Sequence, residues 1–403
     1  MSDPSRVRVT GPLAPFVTGF TAALQQQGYA PMSTAHQLRL VAHLSRWLAD
    51  EGLDASGLSP AAIERFLDAR RAAGYTGHLT GKALAPLLAH LRELGAAPAA
   101  PPLPVTGPVE DLLRRYRGYL TSERGLGERT ADNYTKAARP FLESRLTAQG
   151  LALGQLSAAE VTEFVAANLP RQTRGKAKGT VTALRSLLGF LHLEGMIGRS
   201  LAAAVPTVAE WQLASLPKGL EPGQVQRLLG ACDRETAKGR RDFAVLTLLV
   251  RLGLRAGELA SLELDDIDWR AGEIVVRGKG SQEERLPLPA DVGPAIAAYL
   301  REGRPATSQG RAVFVRAIAP HRALTRIGVT DIVATASRRA GLERVYAHRL
   351  RHTAATETLR AGASLPEVGQ LLRHRRALTT AIYAKVDREA LRCLARPWPG
   401  GAQ

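Results

Sequence analysis

His348 stands three residues before Arg351, and His374 nine before Tyr383, in the stretch HRLRHTAATETLRAGASLPEVGQLLRHRRALTTAIYAKVD. Upstream, Arg255 lies in GLRAGEL and Lys279 in VRGKG. Taken singly, each has an ordinary use: Arg255 in an ion pair with Glu258, Lys279 at a solvated turn, His374 at a helix C-terminus, Tyr383 in an amphipathic core. Taken together, two arginines, two histidines and a lysine form a donor set for one anionic group, and a phosphate diester is such a group. Arginines fork onto non-bridging oxygens and offset the charge that builds in a five-coordinate transition state. A phenol with a pKa of about 10 needs cationic neighbours or a base to act as a nucleophile. A lysine or histidine must protonate the departing sugar oxygen. These are the parts for phosphodiester transfer through a phosphotyrosine. Because one ester replaces another, such a transfer needs neither a metal nor ATP, and no cofactor is expected.

Positioning these groups requires both helices and a hairpin. RRDFAVLTLLVRLGL (240–254) has helical apolar periodicity and leads directly into Arg255. EIVVRGKGSQEERLPLP (273–289) alternates on either side of Gly-Lys-Gly, which predicts a hairpin with Lys279 at its tip. His348 and Arg351 share a face if their segment is helical. Ser364 followed by Glu367 is a capping-box pattern that predicts a helix start just before His374. Low aromatic content (5%) with abundant alanine and leucine predicts a mainly α chain, and the hairpin pattern adds a small sheet in the C-terminal domain.

Two breaks divide the chain. GAAPAAPPLPVTGP (95–108) is a Pro/Ala/Gly linker, and VPTVAEWQLASLPKGLEPGQV (205–225) is a second interruption. They give a helical unit at 1–97, a linker at 98–107, a helical unit at 108–205 and a C-terminal domain at 214–403. The two helical units resemble each other. LSPAAIERFL (58–67) aligns with LSAAEVTEFV (156–165), and ALAPLLAHLRELG (83–95) with ALRSLLGFLHLEG (183–195), which favours a duplicated four-helix bundle. In the second unit, RQTRGKAKG (171–179) places Arg171, Arg174, Lys176 and Lys178 in an expected loop without acids, suited to phosphate contacts.

Net charge points the same way. The chain carries 54 basic and 37 acidic side chains, and residues 214–403 hold 31 of the former and 20 of the latter. A surplus of this size attracts polyanions, with nucleic acid first and an anionic membrane surface second. With only Cys232 and Cys393 present, a disulfide framework or a cysteine-based zinc site is excluded. No signal-peptide core opens the sequence, and the longest apolar run, FAVLTLLV (243–250), is too short to span a bilayer. A soluble, cytoplasmic protein without membrane contact is expected.

At GLRAGEL (253–259), VRGKG (276–280), HRLRHT (348–353), LLRH (371–374) and TTAIY (379–383), the C-terminal domain resembles the catalytic domain of the tyrosine recombinases, or phage integrase family, in motif order and spacing. The unit at 108–205 resembles that family's core-binding domain. The resemblance implies a site-specific recombinase acting through a 3′-phosphotyrosine and a Holliday junction. A homo-tetramer on two double-stranded DNA sites is implied, with a C-shaped clamp around each duplex. It assigns Tyr383 as nucleophile, Arg255 and Arg351 as the phosphate clamp, and Lys279 as general acid. His348 assists proton transfer, and His374 donates to a non-bridging oxygen. Arg373 stands where the family has glycine, which implies a shifted His374 or an added phosphate contact. The tail at 387–403 is expected to dock on a neighbouring protomer. Two other readings share the chemistry or the fold: strand cleavage like that of a type IB topoisomerase, and DNA binding without catalysis.

Overall fold

Leucine and alanine at helical spacing dictate most of the architecture. The computed structural model describes residues 4–99, 107–208, 219–278, 283–308, 310–374 and 377–386. Lys279, the tail 387–403, most of the linker and the middle of the second break lie outside the described residues. The chain divides into two compact units, residues 1–99 with 213–403 and residues 100–212.

The first four helices are α1 (Val17–Gln26), α2 (Pro31–Asp50), α3 (Pro60–Ala72) and α4 (Gly81–Glu93). Ser59 starts α3 by accepting a hydrogen bond from the Ala62 amide, satisfying one of the orphan donors of a helix N-terminus. The core of this bundle is built from Phe20, Leu38, Leu44, Phe66 and the α4 ladder Leu84, Leu87, Leu88 and Leu91. The turn after α1 needs glycine. Gly28 has φ +82°, and a Cβ there would lie 2.3 Å from His321 Cδ2, so the turn meets the C-terminal domain closely.

Residues 100–212 contain α5 (Pro108–Gly118), α6 (Glu128–Glu143), a two-stranded ribbon β1 (Leu146–Thr147) and β2 (Gly150–Leu151), then α7 (Ala158–Asn168) and α8 (Arg174–Leu193). A capping box between Ser157 and Glu160 opens α7. The core gathers Tyr116, Phe141, Val161 and Phe190 around Leu184, Leu187, Leu188 and Leu191 of α8. These four leucines lie one hundred residues after the buried four of α4, in the same helix of the same helical order. The expected loop at 171–179 is corrected: α8 begins at Arg174. Ala177, Thr180 and Val181 are buried at helical spacing, and this packing outweighs the cost of Gly175 and Gly179 in the helix.

In the C-terminal domain, α9 (Pro222–Gly230) precedes α10 (Ala237–Leu252), a helix buried on every side over residues 244–250 and packed against α12 (Val292–Glu302) and α14 (Ala347–Arg360). Between them lie the short α11 (Ala256–Ala260) and an antiparallel sheet in the order β3 (Ile267–Asp268), β4 (Glu273–Arg277), β5 (Glu283–Pro287). The expected hairpin is β4–β5, in register from Glu273 opposite Pro287 to Arg277 opposite Glu283. Ile274, Val276 and Leu286 point into the main core. After α13 (Arg326–Arg339) and α14 come α15 (Leu365–Leu371), opened by the Ser364–Glu367 capping box, α16 (Ala377–Thr380) and a 3-10 turn, Ala381–Val386. No described helix is long and apolar enough to cross a membrane.

Gly253 ends α10 in the left-handed conformation, φ +56°, and a Cβ there would lie 2.7 Å from Leu372 Cδ2 and 3.2 Å from Ala354 Cβ. Gly253→Ala therefore adds both backbone strain and overpacking. Its expected destabilisation is at least about 2 kcal/mol, seen as a lower urea midpoint at unchanged slope; a midpoint equal to wild type would contradict the tight approach.

Candidate active site

Arg255 is the residue that begins α11. Its backbone N–H donates to Glu258 Oε2 at 2.8 Å, and its guanidinium ion-pairs with Glu258 Oε1. Glu258 is buried, whereas the Arg255 side chain is 45% exposed. Burial alone would raise the Glu258 carboxyl, but Arg373 and the Arg255 amide and guanidinium hold it below the usual carboxylate range.

Arg351 comes from the opposite side, on α14, and is 2% exposed. Its Nη1 donates to the Gly253 carbonyl at 2.7 Å, and its Nη2 donates to the Leu372 carbonyl. One guanidinium thus joins the end of α10 to the end of α15. Burial, followed by repulsion from Arg255 and Arg373, lowers its pKa to about 10, so it stays charged at neutral pH.

His348 and His352 lie one helical turn apart on α14, with ring centroids 4.5 Å apart and edge to face. His352 Nδ1 is 2.8 Å from the Tyr383 hydroxyl. Tyr383 is 1% exposed and packs with Ala355, Val368 and Leu372 in a small apolar cluster. Burial pushes its phenol up to about 12, against a lowering by Arg351. His374 follows α15, with Nδ1 2.8 Å from Thr380 Oγ1 and its ring nearly parallel to that of Tyr383 at 6.5 Å. Arg255, His348, Arg351, His374 and Tyr383 are therefore brought together, from three separate parts of the sequence. Arg171, Arg174 and Lys176 are exposed in the 100–212 unit, at and before the start of α8, and Lys178 is half-buried one turn further on.

The phage integrase family model matches residues 218–390. The chain is 43% identical to integrase/recombinase y4rA of Sinorhizobium fredii over 98% of its own length and 96% of the relative's. It is 32% identical to tyrosine recombinase XerD of Listeria monocytogenes, over 70% of this chain and 97% of that one. The chain belongs to the phage integrase family. A lambda integrase tetramer bound to a Holliday junction shares the fold, with a TM-score of 0.54 at 16% identity, over 85% of this chain and 88% of that one.

Two features of the site are not evident from the residue pattern. His352 directly follows Arg351, and its only signal was a position four residues after His348, on the same helical face. Arg373 leaves His374 within the cluster, and its Nη2 is 2.9 Å from Glu258 Oε2.

Burial leads the lowering of all three histidines. Arg351 and then Arg255 add to it for His348; His348 and then Arg351 for His352, to about 4; and Arg351, Arg255 and Arg373 for His374, also to about 4. The folded state then binds fewer protons than the unfolded chain between a pKa of 6.5 and about 4. This contribution to stability is full above the window and is lost as pH falls through it. Thermal melts across that range should show the midpoint dropping with acid, and the combined His352→Asn and His374→Asn variant should flatten the drop; an equally steep drop in the variant would assign it elsewhere.

Proposed function

We propose that this integrase family member is a site-specific DNA recombinase that cuts and rejoins strands through a phosphotyrosine at Tyr383. The observation that carries this reading is the gathering of Arg255, His348, Arg351 and His374 near Tyr383, whose hydroxyl lies 2.8 Å from His352 Nδ1. The scissile phosphate seats between Arg255, whose guanidinium faces outward, and the fixed guanidinium of Arg351, with His348 and His374 as further donors. The Tyr383 oxygen attacks phosphorus, forming the Oη–P bond as the bond from phosphorus to the 5′ oxygen breaks. The phenolic proton passes to His352 Nδ1, the neutral imidazole beside it. Lys279, in the connection between β4 and β5, gives a proton to the 5′ oxygen. Rejoining is the reverse, and the phosphodiester energy is kept in the phosphotyrosine throughout.

The remaining assignments follow from the same reading. The helical unit at 108–205 binds duplex DNA, with Arg171, Arg174, Lys176 and Lys178 on phosphates near the start of α8, where the helix dipole adds to their charge. The unit at 1–97 is a second bundle of the same plan, supported by its matching buried ladder. Four protomers act on two duplexes through a Holliday junction, in the cytoplasm.

A nicked suicide duplex tests the chemistry. Wild-type protein should form a covalent protein–DNA adduct that Tyr383→Phe abolishes, and Arg351→Ala or Arg255→Ala should slow its formation about 100- to 1,000-fold. Tight DNA binding with no adduct from the wild type would instead mark a non-catalytic binder, and plasmid relaxation without joint molecules would mark a topoisomerase.

Phosphate contacts also set salt dependence. The Arg174→Ala, Lys176→Ala pair should reduce the slope of log affinity against log salt by about 2 and weaken binding uniformly across sequences. An unchanged slope would remove this helix start from the DNA interface.

A further inference from the structure

Arg373 occupies a position that its own backbone disfavours. It has φ +54° and ends α15 in a Schellman turn, with its N–H donated to Gln370 O at 2.9 Å and that of His374 to Gly369 O at 3.0 Å. Glycine adopts this left-handed conformation freely, and an arginine does not. The side chain is nevertheless only 3% exposed, with Nη2 2.9 Å from Glu258 Oε2 and Nη1 2.8 Å from the Leu371 carbonyl. Its Nε is buried without a hydrogen-bond partner among the described residues. A strained backbone, a buried cation and an unpartnered N–H all count against folding, so the Glu258 contact is what this arginine gives in return.

The geometry of that contact is specific. Glu258 spreads its two oxygens over both arginines: Oε1 takes the Arg255 guanidinium, and Oε2 takes the Arg255 amide at 2.8 Å and Arg373 Nη2. The helix start that carries Arg255 and the turn that carries His374 are thereby joined through one carboxylate. We propose that Arg373 is a positioning residue for strand cleavage: through Glu258 it fixes the His374 turn against the Arg255 helix start, and it limits how tightly Glu258 holds the Arg255 guanidinium. Without Arg373, the full carboxylate charge falls on Arg255 and competes with the phosphate for it. This inference rests on the phosphotyrosine reading.

The test compares Arg373→Gly, Arg373→Lys, Glu258→Gln and the Arg373→Gly, Glu258→Gln pair in single-turnover cleavage of the suicide duplex. Arg373→Gly relieves the backbone and should keep DNA affinity while losing about 10- to 100-fold in cleavage rate. The acid limb of its pH–rate profile should move to higher pH, because Glu258 keeps only one cationic partner. Arg373→Lys, which keeps the charge but loses the fork, should fall between it and wild type. The pair should lose little more than Glu258→Gln alone, since both changes break the same link. Wild-type cleavage rates in both Arg373 variants, or fully additive losses in the pair, would overturn the proposal. Histidine NMR on the DNA-free protein separates this from the chemistry itself. Arg373→Gly should move the His374 ring resonances and raise its pKa from about 4, and unchanged resonances would overturn the positioning role. A wild type without a Tyr383-dependent adduct would overturn the phosphotyrosine reading alone.

Discussion

A guanidinium sealed from water holds the C-terminal domain in its working shape. Arg351 cannot be solvated where it sits, and a buried cation is tolerated only when its donors are used. Two of them go to the carbonyls of Gly253 and Leu372, which are the ends of two different helices. Helix ends leave such carbonyls unsatisfied, so the arginine and the two termini answer one another's needs. The relative placement of Arg255 and His374 follows, because Arg255 stands two residues after Gly253 and His374 two residues after Leu372.

Charge then orders the rest. Three arginines converge, and Glu258 is the buried carboxylate that pairs with two of them. The surplus positive charge, added to burial, keeps the nearby imidazoles neutral at neutral pH. For the Tyr383 phenol the balance is reversed. Burial outweighs the pull of Arg351, and the hydroxyl rests protonated beside His352.

Much of this was legible beforehand, and for identifiable reasons. The β4–β5 hairpin was visible because alternation around Gly-Lys-Gly is a local signal, and α15 because Ser364 and Glu367 cap it within one turn. The helical units showed themselves through leucine periodicity. Tertiary effects were harder to see. The start of α8 looked like a loop because two glycines interrupt it, and only the burial of Ala177, Thr180 and Val181 keeps it helical. Arg373 gave no sign of its left-handed backbone, since nothing in the residue type predicts φ above zero. The pairing of Tyr383 with His352 spans 31 residues and depends on how the last helices fold back.

Tyr383 belongs to an apolar cluster separate from the main core, with Ala355, Val368 and Leu372 as its other buried members. Local openings cost free energy in proportion to the surface they uncover. Swinging the phenol outward disturbs this minor cluster and one hydrogen bond, and leaves the large core behind α10 untouched. Rigidity is thus concentrated at the guanidinium that ties two helix ends together, while the phenol beside it sits in a cluster of only four buried side chains.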